Sequence, residues 1–417
     1  MTKTMKISRG GGKNLSFLLV AAVLAGFASS SVYADTVEVN GRTWTYSIVS
    51  GTKVKLTAVS NKSTSFNAAN IPWVFTKDDT TYTVTQISGF AGSSSSDKTA
   101  FTGTLSIPDA VTSVGSFAYS GVTSLFIGNK VTSLPKFFMK EVRLTGTVIV
   151  PASVTSIGEQ AFTYSKLTAM WIKGRPTVSS GTQLNTAINR RHTIYSNSNN
   201  KRSFELLLLG PNTEPSGSAT DGIVLNSYMT SDKACDVFVP NNGKWTANLF
   251  GGSKTTVSFY GPGADLNLIV DENAKTITEA VATQSMLDVI LGQVANFKSK
   301  FGLDSVIAFT NSVATTKTIT EAMLQNTTLE FKYLNAETAP VLAASTVSAT
   351  SPVKVRVTAS DGVKPDDSAR VLTSGGAFTG KTVELADGSA KWAKSVFVNG
   401  DGNLQVKVRT GLMIVVL

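Results

Sequence analysis

The chain has 417 residues, with 38 Lys and Arg against 28 Asp and Glu, one Cys and one His. That length suits two or three domains of about 100–200 residues each, while a lone Cys and a lone His exclude a disulfide framework and leave a transition-metal centre without ligands. The formal charge of +10 falls to +6 without the four basic residues of the first 34 (38−4 = 34 against 28), a mild bias towards anionic partners and not a nucleic-acid signature, and the 16% of charged residues suits a β-rich extracellular protein.

Lys3, Lys6, Arg9 and Lys13 precede an apolar run from Leu15 to Phe27, and Val32-Tyr33-Ala34 places small residues before Asp35. These are the three parts of a secretory signal peptide over residues 1–34, with cleavage expected between Ala34 and Asp35. Phe27 stands where a lipoprotein box would need Cys, so no lipid anchor is expected. Beyond the signal no apolar run approaches the roughly twenty residues of a membrane helix, so no transmembrane segment is expected. The expected location is extracellular or at the cell surface, with the periplasm as the alternative.

Residues 35–83 read as an N-terminal β-cap. Val37 to Tyr46 alternates apolar and polar residues around Asn40-Gly41, which signals a hairpin, and Lys53–Val59 adds a strand. From residue 84 a phrase recurs: Val84-Thr-Gln-Ile87, Val111-Thr-Ser-Val114-Gly115, Val131-Thr-Ser-Leu134-Pro135 and Val154-Thr-Ser-Ile157-Gly158. Offsets of 27, 20 and 23 residues (111−84, 131−111, 154−131) mark stacked supersecondary units. Leu105 and Ile107, Leu125 and Ile127, Val148 and Val150, and Met170 and Ile172 are pairs at period two, each a short strand turning one face to a core.

Val150-Pro151-Ala-Ser-Val154-Thr-Ser-Ile157-Gly158, continued by Ala161-Phe162 and Ser165, resembles the bacterial BspA-like, or treponemal, class of leucine-rich repeat. Gly115-Ser-Phe117-Ala and Pro135-Lys-Phe137-Phe138 are shorter copies, and the resemblance covers about residues 84–176. It implies a solenoid, and a role in adhesion or protein binding. Ser120 and Ser165 stand where that class has Cys, so these positions are expected to be less buried.

The solenoid is expected over 84–262, with an insertion near 177–235 rich in Asn, Ser and Gly; Val237-Phe-Val239-Pro240 repeats the strand signature beyond it. Residues 263–417 read as a separate C-terminal α+β module of no recognised family. Met286, Val289, Ile290, Val294, Phe297 and Phe301 fall at helical spacing. Strands are expected at Val306–Phe309, Leu329–Tyr333, Val353–Val357, Val396–Val398 and Leu404–Val408, with a long loop near 336–352. The fold class is thus mostly β with some α: a short leucine-rich-repeat solenoid with an N-terminal β-cap and a C-terminal module.

Gly375 to Thr382 matches the phosphate-loop pattern G-x-x-x-x-G-K-[ST], but Ala386-Asp-Gly388 would break the helix such a loop must open. A Gly-rich turn between strands is the better reading, and no cofactor or metal is expected. His192 lies in a polar segment, and Cys235 reads as a buried small apolar residue. Arg190, Arg191, Lys201 and Arg202 fall within thirteen residues and are the candidate ligand-binding set. The expected function is non-catalytic, adhesin-like recognition of an extracellular protein or anionic glycan, with no nucleic-acid partner. The alternatives are a structural envelope or matrix protein and a carbohydrate hydrolase using carboxylates alone.

Overall fold

The computed structural model describes residues 34–61, 64–92, 99–158, 160–162, 165–174, 176–178, 205–211, 213, 234–247, 255–261, 264, 266–271, 276–281, 283–325, 327–365 and 370–409. Residues 1–33, which fall in the expected signal peptide 1–34, and residues 410–417 lie outside them.

The hairpin forms as its sequence requires. Asp35–Val39 pairs antiparallel with Arg42–Ser50, and Asn40 and Gly41 both take positive φ (54° and 70°), the conformation a two-residue primed turn needs. Lys53–Val59 and Thr80–Ile87 extend this sheet, which buries Trp44, Tyr46, Val54, Leu56 and Val84. Arg42 is buried, donates to the carbonyls of Ser60 and Thr64, and lies 4.8 Å over Phe66, so one guanidinium holds the following loop. One strand runs across residues 83 and 84. Gln86–Ile87, the end of this Thr80–Ile87 strand, pairs parallel with Ser113–Val114 and so becomes the first rung of the repeat ladder.

Each repeat is then one coil with two strands. The long strands are Thr99–Ser106, Ser120–Phe126, Thr145–Val150 and Lys166–Ile172; the short ones are Ser113–Val114, Ser133–Leu134, Ser156–Ile157 and Thr177–Val178. Val111, Val114, Val131, Leu134, Val154 and Ile157 are all buried, as the recurring phrase requires. Its closing glycine has a steric cause. A Cβ on Gly115 would lie 1.9 Å from the Gly89 amide nitrogen, and one on Gly158 2.3 Å from that of Lys136, so only glycine lets successive coils approach this closely. Phe90, Phe117, Phe138 and Phe162 stack edge to face through the core at 5.9, 6.5 and 6.0 Å between centroids. Ser120 corrects one expectation: it is 1% exposed, and the hydroxyls of Ser120 and Ser165 are buried without a hydrogen-bond partner among the described residues. Both serines stand at the entry to the next long strand, where the adjacent coils enclose the side chain whatever its chemistry.

The expected insertion near 177–235 contains a rung of the sheet. Leu206–Leu209 pairs parallel with Ala169–Ile172 on one side and with Asp236–Phe238 on the other. Nor does the expected boundary at 262/263 divide two sheets: one 11-stranded sheet runs from Thr145–Val150 to Val383–Leu385. Every pairing in it is parallel except that between Leu266–Asp271 and Thr276–Val281.

What changes along this sheet is the face that is buried in a core. Met170, Ile172, Leu207, Leu209, Val237 and Val239 point into the first core, inside the repeat coils. Trp171, Leu206, Leu208, Phe238 and Tyr260 are on the other face and belong to a second core, shared with Ile277, Ile307, Phe309, Leu329, Phe331 and Val355. The register keeps these on one face: Tyr260 pairs with Leu266, Val270 with Ile277, and Ile277 with Ser305. The outer face of the first half is therefore the inner face of the second.

Helix α1, Gln284–Phe301, sits where the two halves meet. Thr283 caps its N-terminus by accepting from the Met286 amide, and Gly302 ends it in the left-handed conformation. Its buried stripe is Leu287, Ile290, Leu291, Val294, Phe297 and Phe301; of the expected set Ile290, Val294, Phe297 and Phe301 lie in it, while Met286 and Val289 are only partly buried at its margin. Phe301 meets Trp171 at 5.7 Å and Phe297 meets Phe238 at 5.4 Å, so the helix packs on the outer face of the repeat sheet. Beyond it the chain coils again: Val313–Thr315 pairs with Leu342–Ala344, which pairs with Thr373–Ser374, and Ile319–Thr320 pairs with Val347–Ser348. The expected loop near 336–352 thus holds two short strands. Ala393–Val398 and Leu404–Val408 form the closing hairpin. No helix among the described residues is long and apolar enough to cross a membrane.

Candidate functional site

Along the long strands, alternate residues point away from the first core, and the parallel register lines them up into rows. The equivalent outward positions are Ser106, Phe126, Ile149, Trp171, Leu208 and Phe238: Ser106 pairs with Phe126 in one sheet, and Ile149, Trp171, Leu208 and Phe238 pair in succession in another, with no ladder between the strands of Phe126 and Ile149. Helix α1 covers the last three. Ile149 is half-buried against the helix core, and Phe126 stands 65% exposed. A row of aromatic and aliphatic side chains therefore emerges from under the helix into solvent.

The uncovered part is a groove of about 740 Å³, floored by Phe126, Ile149, Ser124, Thr145, Thr147 and Thr168 and bordered by Asn129, Lys173, Ser299 and Lys300. Its cations are held in place. The Lys300 ammonium is 3.2 Å from Glu205 and donates to the Thr168 hydroxyl at 2.9 Å, while that of Lys173 lies 4.3 Å over the Trp171 ring. Thr145 and Thr168 donate their hydroxyl hydrogens to the carbonyls of Thr123 and Gly146 on the preceding coil. Thr145 therefore offers a ligand an acceptor, while the Thr168 oxygen already accepts from the Lys300 ammonium.

The candidate set Arg190, Arg191, Lys201 and Arg202, with His192, lies outside the described residues. Ala34 is exposed, and Asp35 begins the first strand, where its carboxylate takes hydrogen bonds from Lys77, the Thr36 amide and Tyr46 that hold it below the usual carboxylate range. Cys235 is buried on the first-core face, and desolvation pushes its thiol up to about 12, the state of an inert core residue.

The phosphate-loop match forms no phosphate cradle. Four of its amides are committed: Gly376 to the Asn403 side chain, Phe378 to Gly402, Thr379 to Gly376 and Lys381 to Phe378. The Lys381 ammonium donates to the Ala349 carbonyl at 3.2 Å, and the segment leads into the strand Val383–Leu385, not into a helix.

Two carboxylate settings bear on hydrolysis. Glu321 and Glu384 border a cavity of about 250 Å³ with Lys354, but hydrogen bonds from Ser351 and Thr350 hold Glu321 down at about 2, opposite to the shift a general acid needs. Asp236 is raised by burial and takes a hydrogen bond from Gln293, which lies on helix α1. Among the described residues no group of three or more His, Cys, Asp and Glu could hold a metal ion.

Sequence reasoning did not single out Phe126, though a signal for it existed. Leu125 and Ile127 were assigned inward, and period-two alternation then sends the aromatic ring between them to solvent.

No family model matches the chain, and no curated protein matches it. Two solved structures are similar to it. A leucine-rich repeat protein from Bacteroides ovatus is 14% identical, with 79% of this chain and 91% of that one covered and a TM-score of 0.26. The pneumococcal vaccine antigen PcpA is 13% identical, with 79% and 89% covered and a TM-score of 0.29.

Proposed function

We propose that this is an exported, non-catalytic recognition protein of the BspA-like leucine-rich-repeat kind, adhesin-like in action, which binds through the uncovered outer face of its repeat sheet. The observation that carries the reading is Phe126. A phenylalanine 65% exposed beside the half-buried Ile149 gives the groove an apolar floor open to water, and an apolar floor with a few polar groups at its rim is the make-up of a binding site. Here the rim is Asn129, Lys173, Ser299 and Lys300. Export rests on the basic, apolar and small-residue succession before Asp35.

A stack of coils suits this task because each rung adds to one extended, rigid surface. The Phe126→Ser variant tests the reading. Parent and variant, each labelled and applied to fixed cells and matrix-coated surfaces, should differ strongly in retention while keeping the same melting temperature. Retention unchanged by the substitution would remove the outer face from the function.

A further inference from the structure

We infer that the groove beside Phe126 takes an extended, uncharged segment of a partner protein, added as a strand between two free sheet edges, a proposal that rests on the recognition reading above.

The edges come first. Ser120–Phe126 ends a three-stranded sheet and Thr145–Val150 begins the 11-stranded one, and no ladder joins them although they belong to successive coils. The direction of their main-chain groups follows from the pairing on their other sides. The Ile107 amide donates to the Phe126 carbonyl, and the Lys173 amide to that of Val150. Main-chain groups of successive strand residues point to opposite sides, so Leu125 on one strand and Thr147 and Ile149 on the other turn their N–H and C=O towards the groove. Thr123, in the same phase as Leu125, faces it too: its carbonyl takes the Thr145 hydroxyl from across the gap at 3.4 Å. Donors and acceptors alternating at strand pitch are what another polypeptide backbone satisfies.

Neither strand guards its edge. Natural sheets discourage stray pairing with charged side chains or proline on their outer strands, and Asp35–Val39, Val74–Lys77 and Val383–Leu385, each at the end of its sheet, carry Asp35, Glu38, Lys77 and Glu384. Ser120–Phe126 and Thr145–Val150 hold neither charge nor proline.

The groove also specifies side chains. A strand between these edges has its outward residues flanked by Ser124 and Thr147 at one position and by Phe126 and Ile149 two residues on, and its inward residues beside Leu125 and Val148. An aromatic or β-branched residue between Phe126 and Ile149 gains the cross-strand contacts that stabilise sheets, and a charge at an inward position is costly. Pairing on both sides needs edges about 10 Å apart. The Thr145–Thr123 bond holds them closer at their start, so the segment seats at the Phe126 and Ile149 end, where it makes one continuous sheet of the two.

The test is selection of phage-displayed random octapeptides on the exported chain, with the best peptide then synthesised and titrated. Selected peptides should alternate in apolar residues, and N-methylation of the amides along one edge should abolish binding by removing main-chain donors. Phe126→Ser should weaken binding about two- to fivefold, the worth of a cross-strand pair. Ile149→Ala keeps the edge amide and Ile149→Pro removes it; because that amide faces the groove, neither breaks the ladder to Lys166–Ile172. The proline variant should therefore bind about two- to tenfold more weakly than the alanine variant, the loss of one main-chain hydrogen bond. Should Ile149→Pro melt below Ile149→Ala, the N-methylated peptide makes the same comparison on unaltered protein. Equal binding by methylated and unmethylated peptide, or by proline and alanine variants that melt alike, overturns strand addition and leaves the face to side-chain recognition. If no peptide is enriched, or enriched peptides bind regardless of Phe126, the strand proposal falls and the retention assay judges the recognition reading on its own.

Discussion

Helix α1 packs the second core onto the outer face of the repeat sheet, and the Phe238–Phe297 pair is where that contact can be measured. Both rings are fully buried, with centroids 5.4 Å apart and planes inclined at 58°. Replacing either by Ala should cost about 3–5 kcal/mol, the usual range for emptying a buried Phe site. The pair itself should contribute about 0.5–1.5 kcal/mol beyond area burial, so the double variant should be less destabilised than the sum of the singles by that amount. In a chain of this size global unfolding need not be two-state, so the readout is amide exchange, which gives opening free energies segment by segment. Phe297→Ala should raise exchange both in Leu206–Leu209, on the repeat side, and in Asp304–Phe309, beyond the helix. Additivity within about 0.3–0.5 kcal/mol, or exchange confined to one side, would refute a helix shared by the two halves.

Other expectations follow from single sites. Ile157→Asp places an unpaired charge in the first core and should destabilise by several kcal/mol, about the cost of such burial; Thr155→Asp on the exposed side should lose little more than the hydroxyl's bond to the Thr132 carbonyl, and equal effects in urea melts would reject the register. Asp236 has its carboxyl raised by burial, so the folded state holds the proton more tightly than the unfolded state. The stability it costs is absent in acid and appears as pH rises from about 4 through the folded value. Asp236→Asn should therefore gain stability over the parent at pH 7 and not at pH 3, and a gain of the same size at both would exclude ionisation as the cause. Lys381→Ala should change neither the fold nor any response to ATP, and magnesium-dependent ATP binding lost with that substitution would overturn the turn assignment.

Much of the first half was legible because its signals are local. Strand pairs at period two, the Asn40-Gly41 turn and the helical stripe of Ile290, Val294, Phe297 and Phe301 each write their geometry into adjacent letters. The switch of faces was not legible. Leu206–Leu209 is buried on both sides, and a continuous apolar run carries no mark of which side is the core. The later coils escaped notice because they lack the recurring Val-Thr-Ser phrase, and because their offsets of 29 and 31 residues (342−313, 373−342) are longer than the earlier ones. Ser120 misled for a related reason: a hydroxyl in place of a thiol changes the chemistry of the position but not the coils that enclose it.

Recognition through the outer face is tested most directly by blocking that face with a label. Cys235 is the sole cysteine and is buried with its thiol raised to about 12, so a cysteine introduced at the surface is labelled alone. Phe126→Cys and Thr155→Cys, each coupled to a bulky maleimide, place the same obstacle on the groove and on the short-strand wall of the coil. Binding to cells or matrix should be lost for the label at position 126 and kept for the label at 155. Binding kept at 126, or lost equally at both, would contradict the assignment of the outer face as the recognition surface.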